Sequence, residues 1–195
     1  MADYNNNNVI ALKEWAIVCK TLEAGKQIIL LRKGGIMEYK QGFKIPHKEF
    51  LLYPTFEHQS ESSIKKKYRK VFENMSINKK KNIINLFAEV HSVIEITDEE
   101  ILIDLQNYHI WTKEYIESRM RYNPKKPMSI LLLRVYKLNE PLIMDIKDEW
   151  SGCKSWIDLK NEKIFNNNKK DIMKPVLHDS TFNKLVKEIN EVIVT

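Results

Sequence analysis

Hydrophobic and polar positions follow helical and strand periods by turns along this chain. Residues 9–24 read as a helix: Leu12, Trp15, Ala16, Cys19 and Leu22 share one face, Asn8 can cap the start and Gly25 can end it. Residues 27–33 and 36–40 read as strands around Gly34-Gly35, whose tolerance of positive φ suits a two-residue hairpin. Residues 50–53 form a third strand, stopped at Pro54. Ile64, Tyr68, Val71, Phe72 and Met75 keep helical spacing and predict a helix whose wet side carries Lys65, Lys66, Lys67, Arg69 and Lys70.

Residues 86–96 alternate as a strand, and Thr97-Asp98-Glu99-Glu100 matches a capping box that starts a short helix at Asp98. A further helix covers 112–121. An apolar strand at 128–138 follows the loop held by Pro124 and Pro127, and 141–146 and 154–159 are further strands. Residues 166–170 read as a loop. An amphipathic helix at 181–194, capped by Ser180, turns Phe182, Leu185, Val186, Ile189 and Val192 inward. Together these elements predict a single α+β domain over 9–195, with a mixed or mostly antiparallel sheet flanked by about four helices. The polar, asparagine-rich residues 1–8 are expected to be disordered.

Composition narrows the class. The 195 residues are 43% hydrophobic and 30% charged, as in a soluble globular protein. The longest apolar stretches, 28–31 and 130–133, are too short to cross a bilayer, and residues 1–8 lack the pattern of a secretory signal. Two cysteines, Cys19 and Cys153, imply no disulfide framework and point to a reducing cytoplasm. Cys19 reads as a small buried apolar residue.

The charge is more informative when located. The net +6 resides entirely in residues 61–85, where Lys65, Lys66, Lys67, Arg69, Lys70, Lys79, Lys80 and Lys81 face only Glu61 and Glu73. Clustered cations of this kind release counterions from a nucleic-acid backbone, so they are candidate phosphate contacts. The same residues also fit the solvated side of a helix. Residues 95–104 carry five acidic residues and no basic one.

Most standard chemistries are absent from the pattern. Gly34-Gly35 is no phosphate-binding loop, Ser151-Gly152 is no nucleophile elbow, and five scattered histidines with two distant cysteines do not spell a zinc site. His91 between Glu89 and Glu95 fits a solvated strand face better than a metal site, and Glu38-Tyr39-Lys40 lacks the partner acid of a nuclease metal site. No cofactor or metal is expected. One cluster stands out: Arg32, Lys33, Gly34 and Gly35 could receive an anion, next to a strand end with Tyr53, Glu57, His58 and Gln59. His58 could act as acid or base near neutral pH, oriented by Glu57 or Glu38. Alternatively, Arg32 simply pairs with Glu38 across the hairpin. Arg32 and Arg134, each ending an apolar strand, suit a bidentate anion contact or a buried ion pair. A weak internal echo relates Lys13-Glu14-Trp15 and Arg32 to Lys113-Glu114-Tyr115 and Arg134.

Several stretches resemble a known bacterial family. They are 11–18 (ALKEWAIV), 30–36 (LLRKGGI), 50–59 (FLLYPTFEHQ), 109–112 (HIWT), 132–136 (LLRVY) and 152–156 (GCKSW). In this order, over about 9–160, they resemble the domain of unknown function DUF1802. The resemblance implies no catalytic residues. Some members of that family accompany a restriction-endonuclease domain, for which this chain has no room, so a link to restriction–modification is implied and DNA cleavage by the chain itself is not. The leading expectation is a cytoplasmic, nucleic-acid-associated accessory module with no membrane contact. A small enzyme for an anionic metabolite or nucleotide, using Glu38, His58 and Arg32, is the alternative. So is a protein-interaction module whose acidic and basic segments meet partners.

Overall fold

The structure is a computed structural model that describes residues 9–33, 45–75, 78, 80–152, 154–159 and 169–194. Residues 1–8, Gly34, Gly35, Glu38, Lys79 and Cys153, all singled out by the sequence, lie outside the described residues. The strands are β1 (Ile10–Trp15), β2 (Ile29–Arg32), β3 (Glu49–Thr55), β4 (Lys81–Ile96), β5 (Met128–Asp145), β6 (Trp156–Asp158) and β7 (Met173–Pro175). They form one mixed sheet in the order β2-β5-β4-β3-β1-β6, with β7 pairing β5 off that path. Only the β1–β3 pair is parallel among those described; the others are antiparallel. The helices are α1 (Ala16–Glu23), α2 (Lys66–Glu73), α3 (Glu99–Asp104), α4 (Lys113–Arg121), α5 (Lys169–Ile172) and α6 (Asp179–Val194). This is an α+β fold, as the alternation of elements predicts.

The central strands are buried on both faces. Leu12, Phe50, Leu52, Leu86 and Ala88 point into one apolar cluster, while Ala11, Leu51, Tyr53 and Phe87 point into a second on the opposite face. This explains the main correction to the sequence reading. Residues 9–24 are not one helix: β1 occupies its first part, and α1 starts only at Ala16. A strand covered on both sides shows no alternation, and a short apolar run then imitates a helix face. The predicted end holds: Gly25 has φ +64°, and a Cβ there would meet the Leu177 side chain at 2.7 Å.

Other boundaries move for local reasons. β3 runs through Pro54, which lies beyond the β4 ladder that ends at Leu52, so the missing N–H disrupts no bond there. The predicted strands 128–138 and 141–146 are a single strand, and Pro141 sits where the β4–β5 register shifts between Ile84 and Leu86. The stripe assigned to α2 is narrower than predicted. Ile64 precedes the helix in an isolated bridge to Trp111, and Val71 is 45% exposed. The end of the predicted loop 166–170 is helical in α5. α3 and α4 form where expected, each starting one residue later: Asp98 and Thr112, read as first helical residues, are instead the caps of α3 and α4 and accept the backbone N–H groups of Glu100 at 2.9 Å and Tyr115 at 3.2 Å. The internal echo is no structural repeat, since Lys13-Glu14-Trp15 lies on a strand and Lys113-Glu114-Tyr115 on a helix. No helix among the described residues is long and apolar enough to cross a membrane.

Candidate functional site

β1 supplies three consecutive polar or aromatic residues to one end of the sheet. Lys13 is buried, and its ammonium donates to the carbonyls of Trp150 and Gly152 at 2.9 Å each and to Glu57 Oε2 at 3.3 Å. Three donors therefore meet three acceptors. Glu14 is also buried; its Oε1 accepts the Trp15 N–H at 2.7 Å and its Oε2 accepts Arg32 Nη1 at 3.1 Å. Arg32 further donates to Ser155 Oγ at 2.8 Å and to the Lys13 carbonyl at 3.3 Å. The parallel pairing of β1 and β3 brings Trp15 beside Thr55, so both strands deliver their C-terminal ends to one place.

These residues floor an open cleft of about 610 Å³. Its opposite wall is α4 and the segment before it. Tyr115, Arg119 and Tyr122 recur at helical spacing and all line the cleft. Tyr115 stacks on Trp111 at 4.3 Å between ring centroids, and Trp15 meets Trp111 edge-on at 5.0 Å. Burial raises the pKa of the Tyr115 hydroxyl, which stays a proton donor at neutral pH. Trp111 is anchored from behind by His109, whose Nδ1 accepts the Trp111 N–H at 3.2 Å while Nε2 faces the Leu102 carbonyl at 3.1 Å. Burial, and then the Lys65 charge, hold the His109 pKa down at about 4.

Lys33 also lines the cleft and is only 3% exposed. Its partners among the described residues are both on Met120, the carbonyl at 2.6 Å and Sδ at 3.7 Å. Burial and the nearby Arg119 charge lower its pKa. The Arg119 guanidinium lies over the Tyr122 ring at 5.5 Å. His58 stands exposed on the rim, with φ +59°.

Two smaller hollows continue from this cleft in series. One, of about 160 Å³, shares Lys13, Thr55 and Glu57 with it. That hollow in turn shares Pro54, Phe56, Asn78, Lys81 and Asn82 with a third, of about 500 Å³. The segment that carries α2 touches both ends of this series: Ser63, three residues before the helix, lines the main cleft, and Val71 of α2, with Asn74 and Met75 after it, lines the third hollow.

The predicted site residues therefore divide. Arg32, Lys33 and His58 line one cleft. Arg32 pairs with Glu14 on β1, a partner the sequence reading missed. Tyr53 is buried against Trp150 with ring centroids 5.9 Å apart, and the Gln59 side chain accepts the Ile17 N–H of α1 at 3.1 Å. Arg134 does not line the cleft; it pairs with Asp179 and lies over the Phe182 ring at 4.8 Å. Among the basic residues, Lys65 is committed to the carbonyls of Gln106 and His109, with a pKa lowered to about 8 mainly by burial. Arg69 donates to the Ile64 carbonyl and pairs with Glu61 at 3.5 Å. Lys66, Lys67, Lys70, Lys80 and Lys81 are exposed. Among the described residues no cluster of His, Cys, Asp and Glu could hold a metal ion; His91 lies edge-on to Phe182, and Glu89 accepts the Tyr136 hydroxyl. The sequence reading also passed over the Tyr115, Arg119 and Tyr122 row, whose spacing and polarity were the available signal.

The sequence pattern described as a domain of unknown function (DUF1802) matches residues 11–188. No curated protein matches the sequence. Crystal structures of the ASCH protein from Zymomonas mobilis are similar in chain course at 13% identity. For the unsubstituted protein the TM-score is 0.42, covering 91% of this chain and 93% of that one. For one of its point variants the TM-score is 0.43, covering 91% and 94%.

Proposed function

The chain belongs to the DUF1802 family, and on that footing we propose that it is a cytoplasmic, nucleic-acid-associated accessory module. The supporting observation is that the basic helix and the aromatic cleft are neighbours. Ser63, three residues before α2, lines the main cleft, and α2 itself, with Lys66, Lys67 and Lys70 exposed, reaches the third hollow at Val71. Aromatic side chains and cations along one path suit a single strand, whose bases stack and whose phosphates meet lysines. A duplex offers its bases only edge-on in the grooves. A place beside restriction–modification enzymes is the finer form of this proposal, and it rests on the companions of the family alone.

Fluorescence anisotropy with labelled single-stranded and duplex oligonucleotides over a salt series tests the reading. Single strands bind more tightly, and affinity falls as salt rises. Replacing Lys66, Lys67 and Lys70 by Ala lowers the log–log salt slope by about 2, since each neutralised phosphate of a single strand contributes about 0.7. Absence of binding near physiological salt, or a slope unchanged by the triple substitution, rejects it. The enzyme reading retains one observation: Arg32 and His58 line the same cleft. It requires His58→Ala to abolish turnover of an anionic substrate while leaving its binding intact.

A further inference from the structure

The cleft has charged side chains and an aromatic wall, and its charges are unevenly compensated. Arg32 is matched by Glu14, and Lys13 by Glu57 and two carbonyls. Lys33 and Arg119 are different. Lys33 is buried, faces no carboxylate among the described residues, and feels Arg119 as a second positive charge. Arg119 has no carboxylate partner among the described residues; its guanidinium lies over the Tyr122 ring, and its charge also reaches the Tyr115 hydroxyl. Two like charges held together in a partly dry corner destabilise each other until an anion enters. The Trp15 and Tyr115 rings, 5.9 Å apart, stand in the same cleft.

We propose that the cleft seats one unstacked nucleotide, with its phosphate between Lys33 and Arg119 and its base against the Trp15–Tyr115 wall. This deepens the nucleic-acid reading of the same cleft and rests on it. A planar base fits an aromatic wall, and a guanidinium beside an ammonium fits a phosphate better than a carboxylate, because a phosphate has more oxygens to share between them. A volume of about 610 Å³ admits one nucleotide with its sugar but not a paired helix.

Isothermal titration calorimetry at low ionic strength tests the assignment on the full chain with a nucleoside 5′-monophosphate, its nucleoside, inorganic phosphate and a single-stranded oligonucleotide of about ten residues. The monophosphate is expected to bind more tightly than either of its parts. Arg119→Gln should weaken the monophosphate about tenfold and leave the nucleoside nearly unchanged, whereas Tyr115→Leu should weaken both. Lys33→Met, with its melting temperature measured alongside, should repeat the Arg119 result from the other side of the corner. A monophosphate that binds no better than inorganic phosphate, or that ignores Arg119→Gln and Lys33→Met, overturns the assignment. Salt-dependent oligonucleotide binding that none of the three variants alters rejects this subsite and leaves the module a nucleic-acid binder. Tight monophosphate binding, sensitive to Arg119→Gln, with the oligonucleotide excluded upholds the subsite and rejects the strand.

Discussion

Arg32 on β2 and Arg134 on β5 are both largely shielded from water, yet the two sides of the molecule neutralise them differently. Arg32 faces Glu14, whose side chain is 7% exposed, inside a network closed by Ser155 and the Lys13 carbonyl. Arg134 is covered by the Phe182 ring, with Tyr136 alongside at 5.8 Å, and meets Asp179, whose side chain is 88% exposed. On the cleft side both members of the pair have left water. On the α6 side only the guanidinium has, and ring faces do much of the shielding. The depth of the carboxylate, rather than that of the arginine, sets what each pair contributes.

The sharpest test of that contrast removes Arg32. Arg32→Met strands the Glu14 carboxylate, whose remaining partner among the described residues is the Trp15 N–H. Breaking a buried pair in this way costs about 3–5 kcal/mol. The double variant Glu14→Gln/Arg32→Met should recover most of the loss, because no charge is then left buried. Urea denaturation of the three proteins checks both statements. A single variant within about 1 kcal/mol of the parent would show that water reaches Glu14 freely.

The cleft side also buries His109, and this sets a pH dependence. Its folded-state pKa of about 4 lies below the ordinary histidine value of 6.5. As pH falls through 6.5 the unfolded chain takes up the proton and the folded chain does not, so stability drops until about pH 4, where both forms are charged. The loss attributable to this residue is about 3 kcal/mol over that window. His109→Asn keeps an acceptor for the Trp111 N–H and should flatten this part of the profile in chemical denaturation measured from pH 7 to 4. An equally steep profile in the variant would assign the acid sensitivity to other groups.

Much of the contrast could not be read from the chain. Beyond residue 80, the far end of β4 alternates between exposed and more buried positions and α6 carries one apolar stripe, so both are legible in the chain, whereas the short α5 and β7 are not. Residues 10–15 defeat that logic, since Ala11 and Leu12 are buried on opposite faces. Reading them as helix also hides Glu14 as the partner of Arg32, for which the sequence offers only an anion or Glu38. The structure commits Arg32 to an internal pair with Glu14 and turns the Lys33 ammonium onto the Met120 carbonyl. Lys65 shows the same limit from the other direction: a lysine in a basic run looks solvated, and only the fold reveals that two carbonyls have claimed it.

The α6 side offers the smallest effect and the cleanest control. Asp179 opens α6, so its carboxylate interacts both with Arg134 and with the positive end of the helix. Both interactions are at the surface, and Asp179→Asn should cost about 0.3–1 kcal/mol and less in high salt. Arg134→Met should cost little more, because the methionine stem keeps contact with the Phe182 ring and loses only the cation's attraction to it, about 1 kcal/mol or less. Thermal melts of both variants at low and high salt separate the contributions. If Asp179→Asn instead costs as much as the loss of Arg32, the exposed carboxylate is as strongly coupled as the buried one, and depth is not what distinguishes the two arginines.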